Sequence, residues 1–308
     1  MERPLTLTSK IAVAATTARN AFRSRRPQLS IITDFGQGDE AVYAVRSAAR
    51  SVNPKIEIGS ICDNVPAGNI LVGAWRLRRA FELATEQPGC AYVAVVDPGV
   101  GSSRRSIAVK TRDGRFLVGP DNGVLSLSFS SRGIEGAVEI GNQSLTLHRH
   151  AHSSTFHGKD VFAPVAAHLL RGVPLHEFGK ALEPETLAKI TISSESGERR
   201  RAGCIVDVDG FGNVRTNVPN HIPHELLGRE AAFRITGAGS DITGRAKVLR
   251  TFSEAARREA AFVLSSTGCL DLVVNLGSAS DRFGIRAEKL GLDGDLRPSA
   301  RIELDLAA

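Results

Sequence analysis

The sequence predicts an α/β fold in two parts: an N-terminal α/β domain with a mostly parallel sheet, and a smaller C-terminal antiparallel β domain, barrel-like. Three observations carry this. Up to about residue 190, short apolar runs alternate with longer segments of helical period, the pattern of strand–helix–strand crossovers. Beyond residue 200 the runs are short and β-branched, separated by Gly, Asn, Asp and Ser. A length of 308 residues fits two domains of roughly 100–200 residues each.

In chain order, residues 29–33 form a strand that ends in a carboxylate and a glycine turn. Residues 40–51 have helical period and stop before Asn53-Pro54, because a residue preceding proline disfavours the α region. Residues 55–61 form a second strand. Residues 70–84, apolar at three-to-four spacing, form a second helix. Residues 91–96 are continuously apolar, the mark of a strand buried on both faces. Residues 160–170 read as a further helix, stopped by Gly172 and Pro174. The polar run ESGERRR, 195–201, reads as a linker. After it, 204–208, 214–218, 232–235, 246–252, 261–264, 270–274 and 301–306 read as short strands. The expected division is a basic, disordered tail at 1–27, an N-terminal domain at 28–190 and a C-terminal domain at 200–308.

The formal charge of +6 invites a nucleic-acid partner. Its distribution argues otherwise: residues 1–30 hold six basic side chains and one acid, a net +5, which leaves +1 for the other 278 residues. The tail is rich in Ala, Thr, Ser and Arg and poor in acids, so a transit segment stays open beside a plain disordered extension. No apolar run approaches the ~20 residues that span a bilayer, so no membrane association is expected. Cys62, Cys90, Cys204 and Cys269 lie far apart without a C-x-x-C pair. They read as buried thiols of a reducing compartment, and the expected location is the cytoplasm.

Two buried-looking strands end alike, in IITDFG (Asp34) and VVDPGVG (Asp97). In open α/β sheets ligands bind beyond the carboxyl ends of strands, where an aspartate can hold a ribose or position a water. A single such aspartate more often caps its own turn, whereas two in one domain point to a site. Arg104 follows Asp97 closely, with no Walker ending to suggest a nucleoside triphosphate. In TFHGKD, His157 precedes a glycine that permits close approach, which suits proton handling, although Asp160 with Pro164 also fits plain helix-start chemistry. His148, His150 and His152 alternate, which invites zinc but is also common on exposed strands, and no metal is expected. Asp209-Gly-Phe211-Gly-Asn213 reads as a hairpin turn. The loops around Ser266 and around Ser278-Ala279 offer backbone N–H groups to a ligand edge but are weak signals alone. Asp121-Asn122-Gly123 is a turn.

In this order, the segments IITDFG with Asp39 following, VAVVDPGVGSSRRSIAV, FLVGPDNGVLSL, SSTFHGKDVFAPVAAHL, DGFGNVRTNV and AAFVLSSTGCLDLVVNLGSAS resemble the S-adenosyl-L-methionine hydroxide adenosyltransferases (SAM hydrolases), relatives of fluorinases and chlorinases. The resemblance covers about residue 29 to 308. It implies a trimer with substrate at subunit interfaces and a catalytic triad at Asp97, Arg104 and His157, with Arg105 the adjacent alternative. It further implies Asp34 on the ribose, Phe156 against the substrate, Asp209 and Ser266 on the methionine end, and Asn213 with the Ser278-Ala279 backbone on the adenine. Asp39 and Phe211 complete the expected substrate-binding set. The sequence departs from relatives at Asn64-Val-Pro66-Ala67-Gly68-Asn69 and at Gly210, where a basic residue is usual.

The implied reaction is S-adenosyl-L-methionine plus water giving adenosine plus L-methionine, without cofactor. The sulfonium leaves as a neutral thioether and needs no acid. Water is the weak partner, so the site must align it with C5′–S and take its proton. Either Asp97 or His157 can be that base. Two other readings stand beside it: a protein that binds S-adenosyl-L-methionine or adenosine with negligible turnover, and a halide-dependent 5′-halogenase, against which Asp97 and His157 argue.

Overall fold

The computed structural model describes residues 26–84, 89–147, 154–237 and 239–306. The tail, apart from Arg26 and Pro27, and the His148, His150 and His152 cluster lie outside the described residues. The first sheet begins with β1 (Gln28–Thr33), α1 (Glu40–Val52), β2 (Glu57–Cys62), α2 (Ile70–Leu83) and β3 (Ala91–Val95). It continues with β4 (Ser106–Thr111), β5 (Phe116–Pro120), α3 (Ser126–Arg132), β6 (Ile134–Ile140) and, after α4 (Ala163–Leu169), β7 (Gly179–Ala181). The strand order is β2-β1-β3-β5-β4-β6-β7. Neighbours from β2 to β5 pair in parallel, and β4 and β7 run against the rest.

Alternation along the strands sorts the core into two layers. Leu29 and Ile31 of β1 and Val93 and Val95 of β3 pack with Val45 and Ala49 of α1 and Val165 and Leu169 of α4. Ile32, Tyr92 and Ala94 face the other way, onto Leu71, Trp75 and Phe81 of α2. The chain moves outward from β1 to β2 and then crosses back to β3. The sheet therefore has a topological switch between β1 and β3, where α/β sheets bind ligands.

The C-terminal domain is a mostly antiparallel seven-stranded barrel. Its strands are β9 (Arg200–Val208), β10 (Val214–Pro219), β11 (Glu230–Gly237), β12 (Ser240–Leu249), β13 (Ala260–Leu264), β14 (Cys269–Val274) and β15 (Ala300–Asp305). The order β10-β14-β13-β12-β11-β15-β9 closes through a β9–β10 pairing, and β12–β13 is the parallel pair. Its core runs without a break into the α2 side of the first sheet. Asn69, which caps α2 through Val72 N, also donates to the Ala287 carbonyl at 2.9 Å and stitches the two parts together.

Three expectations need correction. ESGERRR is not a linker: β8 (Glu195–Ser196) turns back onto the start of β9 as a hairpin, and Arg201 is buried, its guanidinium on Ser196 Oγ and the Pro219 and His221 carbonyls. The strand expected at 246–252 lies earlier, and Phe252 belongs to a 3₁₀ turn. The helix expected at 160–170 begins as a π-helical turn, Gly158–Phe162, before α4.

Candidate active site

Parallel register sets Thr33 of β1 beside Val95 of β3, so the chain leaves both strands at the same edge. Asp34 and Asp97 thereby line one cavity of about 240 Å³, with Phe35, Gly68, Phe156 and His157.

The stretch after Asp97 is a compact turn. Val100 N donates to the Asp97 carbonyl and Ser102 Oγ to the Gly99 carbonyl, at 3.2 and 2.7 Å. Gly101 takes a positive φ of 79° that a side chain would resist. The chain doubles back, and Arg104 meets Asp97 through two parallel bonds: Nε to Oδ1 at 2.9 Å, and Nη2 to Oδ2. Nη2 also lies 2.7 Å from His157 Nδ1. A guanidinium has donors only, so Nδ1 accepts, and the imidazole proton sits on Nε2. The Phe162 ring supports both partners, 5.5 Å from the guanidinium carbon and edge-on to His157 at 6.2 Å.

His157 opens the π-helical turn, a feature frequent at functional sites. Gly158 is what seats it. A β-carbon there would lie 2.8 Å from Val95 Cγ1 and 3.4 Å from Val45 Cγ2, so only glycine lets the turn approach β3 and α1.

Arg105 goes elsewhere. Its Nε donates to Asp121 Oδ2 at 2.9 Å and its Nη1 to Thr186 Oγ1 at 3.3 Å, and Asp121 Oδ1 accepts from Ala188 N, so this pair ties the β5 end to the 184–186 turn and the chain just after it. Asp34 accepts from Gly68 N at 2.8 Å. Burial pushes its carboxyl above the ordinary carboxylate range, the Gly68 amide works against this, and the nearby Asp97 charge adds to it. Phe35 and Phe156 pack edge-to-face at 5.6 Å.

The remaining predicted residues stand apart from this cavity. Asp39 caps α1, accepting from Ala41 N at 2.8 Å. Asp209 folds its own hairpin, accepting from Phe211 N, Asn213 N and Asn213 Nδ2 at 2.9–3.0 Å. It borders a second cleft of about 620 Å³, where Arg76, Asp207, Arg215 and Arg286 also sit. Ser266 is exposed in the turn between β13 and β14. Ser278 caps the short helix α5 (Ala279–Phe283), of which Ala279 is fully buried. Ser280 N donates to the Gly212 carbonyl at 2.8 Å, which joins the Asp209 and Ser278 loops. Among the described residues no group of three His, Cys, Asp or Glu is placed to hold a metal.

Sequence reasoning missed Gly68, Phe162 and Ser106, whose Oγ accepts from Arg104 Nη1 at 2.8 Å. The Ser106 signal was present: an (i, i+2) spacing from Arg104 in extended chain puts both side chains on one side. It also missed Asp271, where burial pushes the carboxyl up to about 6 and leaves Oδ1 without a partner.

Fold and cluster together define an α/β-plus-barrel protein with a carboxylate–guanidinium–imidazole site at a sheet switch point. Comparison with known proteins places it further. Residues 29–179 match the model of the SAM hydroxide adenosyltransferase N-terminal domain, and 203–290 that of the C-terminal domain. The chain belongs to the SAM hydroxide adenosyltransferase family. It is 34% identical to an (R)-S-adenosyl-L-methionine hydrolase from Salinispora tropica, over 84% of this chain and 94% of that protein. A fluorinase from Nocardia brasiliensis is 24% identical over 85% of this chain and 95% of its own. The crystal structure of an uncharacterized conserved protein from Thermotoga maritima superposes with a TM-score of 0.76 at 30% identity, covering 90% of this chain and 99% of that one.

Proposed function

We propose that this protein hydrolyses S-adenosyl-L-methionine to adenosine and L-methionine. One observation carries the reading: Asp97, Arg104 and His157 are joined by direct contacts beside a cavity that Asp34, Asp97 and His157 line together. A water held in the cavity attacks C5′. The C5′–O bond forms as C5′–S breaks, and the electron pair returns to sulfur to give the neutral thioether. Because His157 Nδ1 is taken by Arg104, its Nε2–H is a donor. The proton leaving the water therefore goes to Asp97, while His157 orients the water and Arg104 balances the carboxylate charge. The resident hydrolase relatives are nearer than the fluorinases, at 31–34% against 23–24% identity, so halogenation is not favoured.

The reading extends to a homotrimer in the cytoplasm. A cavity of about 240 Å³ is small beside the ~300–1,000 Å³ of whole ligand sites. Phe211 and Leu276, on joined loops, are 83% and 72% exposed. A neighbouring copy placing Asp209, Phe211, Asn213, Ser266, Ser278 and Ala279 against the cavity completes the site, and a heterologous contact of this kind closes as a trimeric ring when each copy is turned by a third of a revolution from the last. All four cysteines are free thiols. The family matches support a division into domains at 28–190 and 200–308, behind a tail at 1–27.

The test is incubation with S-adenosyl-L-methionine in ¹⁸O-water, with and without halide, read by mass spectrometry. Label at the 5′-oxygen of adenosine and released methionine are expected. S-adenosyl-L-methionine recovered bound and unconverted, with no methionine released, would make it a binding protein, and a 5′-halo product would make it a halogenase. Asp97→Ala, Arg104→Ala and His157→Ala should each lower the rate by ~10²-fold or more. Wild-type rates in all three would remove the triad.

A further inference from the structure

We infer that Ser106 is a positioning residue of this site, holding the Arg104 guanidinium in the plane that serves both Asp97 and His157. The inference rests on the hydrolase reading and adds a fourth member to its machinery.

Arginine is long and rotamer-rich, and its fork acts only when the plane is fixed. Asp97 occupies Nε and Nη2, and His157 shares Nη2. The third nitrogen, Nη1, is the lever arm, and Ser106 Oγ engages it at 2.8 Å, closer than the Arg105 carbonyl at 3.5 Å. Ser106 is anchored in the sheet. It is the first residue of β4, paired opposite Pro120, and the next three residues of its strand are fully buried. The sheet thus reaches the reacting groups through one hydroxyl. Without it the guanidinium is free to tilt about the Asp97 fork, and Nη2 leaves His157 Nδ1. The Arg104 contact that favours the ring proton on Nε2 is then lost, and the tautomer balance shifts.

The experiment compares Ser106→Ala, Ser106→Thr and Ser106→Val, alone and in the Arg104→Ala background. Thr and Val have the same shape and differ in the hydroxyl. Ser106→Ala and Ser106→Val should lower kcat roughly tenfold with KM little changed, and Ser106→Thr should restore most of it. In the Arg104→Ala background the three substitutions should have no further effect. Nitrogen-15 spectra of the full-length protein should show His157 as one tautomer in wild type and Ser106→Thr, and as a mixture in Ser106→Ala. Equal losses with and without Arg104, or Val as active as Thr, overturn the inference. If Ser106→Ala fails to fold, the Thr–Val comparison decides the matter. An inactive wild type instead overturns the hydrolase reading itself, and an Arg104→Ala variant as fast as wild type removes Arg104, and with it the role of Ser106, while leaving that reading in place.

Discussion

Asp34 carries opposing demands. In the proposed role of accepting from ribose hydroxyls it would work as an anion, yet burial raises its proton affinity above that of a free carboxylate. Its charge is complete above that raised pKa and is lost as pH falls through it. KM for S-adenosyl-L-methionine should therefore rise on acidification, starting at a higher pH than an exposed aspartate would give. Asp34→Asn should raise KM about tenfold or more at neutral pH and flatten this acid limb. A KM profile identical in both proteins would count against Asp34 as the ribose acceptor. At this scale much of the candidate cluster was legible. Asp97 and His157 stand in distinctive local motifs, and Asp34 repeats the strand-end pattern of Asp97. What sequence left open was the arginine, because Arg104 and Arg105 are adjacent and chemically identical. In the structure Arg104 meets Asp97 and His157, whereas Asp121 claims Arg105 from sixteen residues away.

The π-helical turn at Gly158–Phe162 is where an element shapes the site. It holds one residue more than an α-turn, and His157, at its start, lies against Arg104. Gly158→Ala should push the turn off Val95, cost about 1–3 kcal/mol of stability, and lower kcat more than it raises KM. Thermal unfolding with steady-state kinetics checks this, and an alanine variant with wild-type kcat would show that the close seat is dispensable. Helical period in 160–170 was readable, but the extra residue was not, since periodicity does not register a single bulged turn. The elements between Ser106 and Ile140 were likewise missed as elements. There β4, β5 and β6 are short and antiparallel, and their pairing is set by partners rather than by local pattern. ESGERRR misled for a related reason: an edge hairpin is as polar as a linker.

At the scale of the molecule, the two halves of the expected site do not meet within one copy. The first cavity is lined by Asp34, Asp97 and His157, while the Asp209 hairpin borders a different cleft. Phe211→Ser should weaken assembly and hydrolysis together while leaving the fold intact, as read by light scattering, circular dichroism and product release. A monomeric and fully active wild type would exclude a shared site. Fold class was the most legible level, because the switch from long-period to short β-branched segments near residue 200 mirrors the two sheets. Barrel closure has a further consequence for how the chain reaches this state. β15 lies between β11 and β9, so strands about a hundred residues apart in sequence must pair before the ring shuts. High contact order of this kind slows folding towards the millisecond-to-second range. The barrel, and any binding loop it displays, is therefore expected to form in one late, cooperative step.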